Sequence, residues 1–281
     1  MNRGHELLLR GDEASLNAAL DAYNEAIALF RTVPVAENPS WVNSLGAALM
    51  NRGQLLHRLH GVGQAALALA AFDEAAALLR LLAAVDNPWP RRNFTGTLVN
   101  RANLLLDLGQ FAAAEQVARE ALALALPHER AHLIDADLAL KARRALGDAL
   151  GRLLVASGAN QDEIARQASD VVDDALALIR HWSAPAGTSF RLLAMRFFRY
   201  GAQLYRFHQP HFLAEFLEEN LPPQDAEFHA IALETIDATL AEDQASGRIF
   251  TIGDLASERR RQTWQDLGAL RTRLAPAVAA Q

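Results

Sequence analysis

His128-Glu129-Arg130-Ala131-His132 spells HExxH, the arrangement in which two histidines one helical turn apart can share a zinc ion while the glutamate activates water. The surroundings argue against that use. Pro127 places the motif in the first turn of a helix expected over 129–156, and Arg130 would set a positive charge beside a dication. About twenty positions downstream, where a third ligand would be needed, stand Arg152 and Leu153. An ordinary helix start explains the same residues: proline at the first position, then Glu129 against the positive end of the helix dipole. A second cluster, His208, His211 and Glu215 with His229 on the following helix, reads either as a metal site or as a hydrogen-bonded loop around Pro210. The sequence therefore predicts no catalytic residues, no metal and no cofactor.

A different chemistry is available to amides. Asn51, Gln54 and Arg58 fall at i, i+3 and i+7 and share one helix face, and Asn100, Asn103 and Asp107 repeat the spacing. An asparagine offers both a donor and an acceptor to an extended backbone. The alternative is that these amides satisfy one another between helices, while Arg3, Arg52 and Arg101 pair with acids on adjacent segments.

Those two faces recur because the chain recurs. Met1-Asn2-Arg3-Gly4 returns as Met50-Asn51-Arg52-Gly53 and, relaxed, as Val99-Asn100-Arg101-Ala102, a period of 49 residues. Laying 1–49 on 50–98 without a gap gives 16 identities, more than composition explains. Ala22-Tyr23-Asn24-Glu25-Ala26 matches Ala71-Phe72-Asp73-Glu74-Ala75, and Asn38-Pro39 matches Asn87-Pro88. A fixed period of this size marks stacked supersecondary units that bury their apolar faces on one another.

Composition makes the units helical. Alanine and leucine dominate, and strand-favouring residues are scarce, so an all-α chain is expected. A net charge of −6 argues against a phosphate-backbone partner. Lys141 is the sole lysine, leaving arginine to carry the positive charge. Without cysteine there is no disulfide framework and no thiol nucleophile. No uninterrupted apolar run of membrane-spanning length and no basic-then-apolar leader are apparent, so no membrane partner and a cytoplasmic location are expected.

Asn, Pro and Gly punctuate the helices. The pattern predicts helices over 41–59 and 64–85 around a turn at 60–63, then 94–108 and 111–126 around Gly109, and 129–156 and 161–182 around Ser157-Gly158. Beyond Ala184-Pro185-Ala186-Gly187 the period fades into helices near 188–207, 210–220, 224–245 and 253–275. These divide the chain into an array over 1–182 and a divergent pair with a terminal cap over 183–281. Phe190, Phe197, Phe198, Tyr200, Tyr205, Phe207, Phe212 and Phe216 form either the core of that cap or a docking surface. Glu258-Arg259-Arg260-Arg261 reads as a solvated helix face.

The stretch from Leu98 through Ala102, Gly109, Phe111, Ala114, Ala118 and Ala121 to Pro127 resembles a tetratricopeptide repeat. It has a small residue in the first helix, glycine and an aromatic at the turn, spaced alanines in the second helix and a closing proline. Ala19, Tyr23 and Ala26, then Ala68, Phe72 and Ala75, then Ala168, Val172 and Ala175 keep the second-helix spacing, although the turns are longer than in that family. The resemblance implies a superhelical solenoid whose first helices line a concave groove, with Asn51, Gln54, Arg58, Asn100, Asn103 and Asp107 gripping a peptide, and Asn2 and His5 extending the stripe. The function it implies is a non-catalytic scaffold or adaptor for a protein or peptide; a peptide-sensing regulator is the alternative, and a zinc peptidase a remote one. Met1 aligns with mid-helix Met50, so the first hairpin is expected to show only half of its first helix, with either an earlier start of the protein or another element covering that end; an exposed apolar end there would invite self-association.

Overall fold

In the computed structural model the described residues are 4, 6, 7, 10, 12–32, 34, 38–82, 87–156, 160–182, 188–208, 212–222, 225–245, 262 and 265–275, without the side chains of 188–190, 207–208 and 242–245. They are predominantly helical, with no strand among them. The chain divides into two compact units, Met1–Leu153 and Leu154–Gln281, and the division falls inside a helix.

The first unit contains α1 (Glu13–Phe30), α2 (Pro39–His60), α3 (Ala65–Arg80), α4 (Pro88–Asp107), α5 (Phe111–Ala125) and most of α6 (Leu133–Ala156). Short polar residues start the helices. Asp12 Oδ1 accepts from Ser15 N at 2.9 Å, and Asn38 and Asn87, one period apart, accept from Ser40 N and Trp89 N at 2.9 and 3.0 Å. The proline after each asparagine occupies the first turn, where its missing N–H costs nothing. Pro90 also fits that turn, which is why α4 begins at Pro88 and not near 94. Gly109, at φ 72°, closes α4, and Gln110 N reaches Leu105 O at 2.9 Å.

Hairpin α2–α3 and hairpin α4–α5 each pack tightly, α1 rests on α2, and α2 touches α4 directly. A stretch within Pro39–Arg80 has the mean hydropathy of a membrane span, 1.4, but the chain turns at Gly61–Gln64 and sets the two helices against each other. Small residues allow the close approach. A Cβ at Gly53 would lie 2.6 Å from the Phe72 ring, and one at Gly46 would lie 2.6 Å from Leu79 Cγ. One period earlier Gly4 meets the Tyr23 ring in the same way, at 3.0 Å. One period later the pair becomes Ala102 and Ala121, both fully buried. Leu56, Ala65, Ala68, Phe72 and Leu104 form one continuous apolar cluster.

The second unit holds α7 (Gln161–Trp182), α8 (Thr188–His208), α9 (Leu213–Asn220), α10 (Ala226–Ala245) and α11 (265–275). Helix α8 is its hub, in contact with α7, α9 and α10. Phe216 stacks on Tyr205 at 4.6 Å and on Phe198 at 5.8 Å, and Phe228 tilts onto Phe198 at 5.1 Å. Gly201 lets α8 approach Phe216 and Val172. The aromatic stretch is thus largely core: Phe197, Phe198, Tyr205 and Phe216 are buried and Phe212 is exposed.

Candidate functional site: the seam between first helices

The first helices of the hairpins, α2, α4 and α6, are joined by a ladder of polar contacts. Asn93 Nδ2 donates to Asn43 Oδ1 at 3.0 Å, and His57 Nε2 meets Asp107 Oδ2 at 2.7 Å, both joining α4 to α2. From the other side Arg144 Nη2 donates to Asn103 Oδ1 at 3.0 Å, joining α6 to α4. Between these rungs lies Gly96, whose missing side chain lets Met50 Sδ and Leu138 Cδ2 approach to 3.3 and 3.8 Å of a Cβ position. Asn93, Gly96, Asn100, Asn103 and Asp107 follow one another along a single face of α4.

The predicted stripe falls on this seam and splits into two groups. Asn103 and Asp107 are taken up by Arg144 and His57. Asn51 lies beside the Tyr23 hydroxyl, a buried phenol that finds no hydrogen-bond partner among the described residues; burial raises its pKa, and the Asn51 amide offsets this only in part. Gln54 is exposed and Asn100 half-buried, and neither amide has a polar partner among the described residues. Arg58 is exposed. Asn2 and His5 lie outside the described residues.

The repeat also sets the outer pairing. Arg52 Nε donates to Asn24 Oδ1 and, one period on, Arg101 Nε donates to Asp73 Oδ1, both at 2.8 Å. Of the arginines expected to pair with acids on adjacent segments, Arg101 does so with Asp73, whereas Arg52 bonds the Asn24 amide instead; Arg3 is outside the described residues.

Sequence reasoning missed a cluster at the first turns of α4 and α6. The fully buried Asp135 carboxylate receives Arg91 Nη1 at 2.9 Å and Arg92 Nη2 at 2.8 Å, and Arg92 also lies over the Trp89 ring at 5.4 Å. Burial alone would raise the Asp135 pKa, but the hydrogen bonds and charges of Arg92 and Arg91 outweigh it and hold the carboxyl below its ordinary range. No spacing rule could have found it, since the partners are 43 and 44 positions apart.

The HExxH segment forms no zinc-binding helix. Leu126–His128 is a 3-10 turn, 129–131 continue as turn with His132 N on His128 O at 3.1 Å, and α6 starts only at Leu133, so the motif lies ahead of the helix and not within it. Glu129 does not face solvent at a helix end either: it is buried and takes Arg143 Nη1 and Nη2 at 2.6 and 3.1 Å. In the second histidine cluster His229 Nε2 contacts Pro222 O at 3.0 Å, Glu215 is exposed, and His211 lies outside the described residues, as do Glu258-Arg259-Arg260-Arg261. Among the described residues no group of metal-ligating side chains is assembled.

No family model and no curated protein matches this chain. Among solved structures, the crystal structure of BtubC (BKLC) from P. vanneervenii is similar, with a TM-score of 0.51 at 16% identity over 94% of this chain and 91% of that one. At this identity the likeness speaks to fold alone, and the fold shared is all-helical.

Proposed function

We propose that this chain is a tetratricopeptide-like solenoid that acts as a non-catalytic scaffold, holding an extended peptide segment of a partner protein along the seam of α2, α4 and α6. The carrying observation is that Gln54 and Asn100 have no polar partner among the described residues, on a seam where Asn43, Asn93, Asn103, His57 and Asp107 are matched. An amide left facing solvent can bond a peptide backbone through both its donor and its acceptor. The 49-residue repetition supports the solenoid, because identical hairpins stacked by one operation place equivalent residues in register.

The test is affinity capture from a cell lysate with wild type and the double variant Gln54→Ala, Asn100→Ala. These side chains hold no described contact, so unfolding stability should change by less than about 0.5 kcal/mol. A partner retained by wild type and lost by the folded variant supports the seam. A partner held equally by both places binding elsewhere.

A further inference from the structure

Between Ala175 and Ala214 the chain contains no aspartate or glutamate, yet it carries five arginines, Arg180, Arg191, Arg196, Arg199 and Arg206. In a protein of net charge −6 this is a local reversal of sign. The fold answers three of the five. Arg191 meets Asp225 and Glu227 at 2.9 and 2.6 Å, Arg180 donates to the Asn220 side-chain oxygen, and Arg206 Nη2 donates to Ala238 O at 3.4 Å. Arg196 and Arg199 are exposed, with neither an ion pair nor a hydrogen bond among the described residues.

Both stand on the outer face of α8. Ala194, Phe197, Phe198, Ala202 and Tyr205 are buried against the neighbouring helices, which leaves Leu192, Arg196, Arg199 and Gln203, at i, i+4, i+7 and i+11, as one open stripe. Leu192 is 63% exposed, and the Gln203 amide has no polar partner among the described residues. Merely solvated arginines on the other helices of this chain look different. Arg119 has Glu115, Arg144 has Asp148, and Arg166 has Glu163 and Asp170 within one turn. The positions three and four away from Arg196 and Arg199 hold Leu192, Leu193, Met195, Tyr200, Ala202 and Gln203, and each arginine has the other as a like-charged neighbour. Such a pair opposes helix formation and gains nothing within the chain.

We infer that this stripe docks an acidic helical segment of a partner protein, with two carboxylates received by Arg196 and Arg199 and an apolar side chain laid on Leu192. Charge complementarity specifies the occupant. The two guanidinium groups rise about 4.5 Å apart along the helix axis, the spacing of carboxylates three positions apart on a facing helix. Each guanidinium fork can take a carboxylate through two parallel bonds. A nucleic-acid backbone engages about six to ten cations and an anionic membrane about four to eight, and this stripe offers two. The surface belongs to α8 and holds or fails independently of the seam of α2, α4 and α6.

The probe is the labelled peptide LQAAEAAEAAQL, whose glutamates and flanking leucines read the same in either chain direction, titrated against the full chain by fluorescence anisotropy. Saturable binding is expected below about 1 mM at low salt, weakening at least about tenfold on addition of about 0.5 M sodium chloride. The glutamine counterpart LQAAQAAQAAQL should bind at least about tenfold more weakly. The Arg196→Gln, Arg199→Gln protein should lose a similar factor and keep its helical circular dichroism, since it removes no described contact. Arg196→Glu with Arg199→Glu should instead select LQAAKAAKAAQL. No saturable binding, equal binding of the glutamine peptide, or undiminished binding by the double glutamine variant would overturn the inference. So would retention on phosphatidylserine vesicles, or a dimer of the chain alone, that the double variant loses; these would make a membrane or a second copy the occupant.

Discussion

Asp135 carries no exposed surface and shares its two oxygens between Arg91 and Arg92, so removing the aspartate leaves two largely buried guanidinium groups without their counter-charge. Removing one partner of such a set is far more costly than the net value of the interaction. Asp135→Ala should lower unfolding stability by about 3–5 kcal/mol in denaturant titrations. The pH dependence has a definite sign. The folded carboxyl has a pKa below that of the unfolded chain, so its contribution is fully present above about pH 4 and is lost as pH falls through the lowered folded value. Denaturant midpoints measured from neutral to about pH 3 should therefore fall steeply in wild type and less in Asp135→Asn, which has no proton to gain there. Glu129 teaches the complementary point at this scale. Its motif is visible as letters, but its role depends on Arg143, a guanidinium fourteen positions on that only the fold brings to it.

At the scale of the helix pair, the repeating device is a missing side chain beneath a ring. Gly53 admits Phe72 as Gly4 admits Tyr23, and the third unit replaces both members by alanine, at Ala102 and Ala121. The total volume at the contact is thus shared differently from unit to unit. Gly53→Ala should destabilise by about 1–3 kcal/mol because the ring has nowhere to move. The same change made beside Phe72→Ala should cost markedly less, giving a favourable coupling in a double-mutant cycle; strict additivity would show that the glycine serves the helix backbone and not the ring. The caps belong to this scale too. Asn38-Pro39 and Asn87-Pro88 are legible as breaks between helices, but the structure makes Asn38 and Asn87 the caps and starts α2 and α4 at the prolines, ahead of the expected 41 and 94. The delayed start of α6 was not legible, because Pro127 opens a 3-10 turn there and the burial of Glu129 holds 129–131 out of the helix.

Over the whole chain, the division at Leu153 separates a unit packed by alanine and glycine contacts from one packed by aromatic rings. Phe216 is the center of the second core, stacked on Tyr205 and Phe198 and seated on Gly201. Phe216→Ala should remove about 3–5 kcal/mol. Native-state hydrogen exchange should show the lost protection in α8, α9 and α10, with α2 to α5 retaining theirs; uniform loss would show that the two units unfold as one. What the sequence determined by itself was carried by local spacing: the all-helical class, the 49-residue period, the Asn-Pro breaks between helices, and the amide face of α2 and α4. Periodicity and capping act within a few residues, so they are written in the order of the letters. Only the tertiary structure decided which of those amides are spent on neighbouring helices and where Asp135 and Glu129 find their arginines. Those outcomes depend on partners 14 to 50 positions away, and contact at that range is set by how helices stack and not by any pattern along one of them.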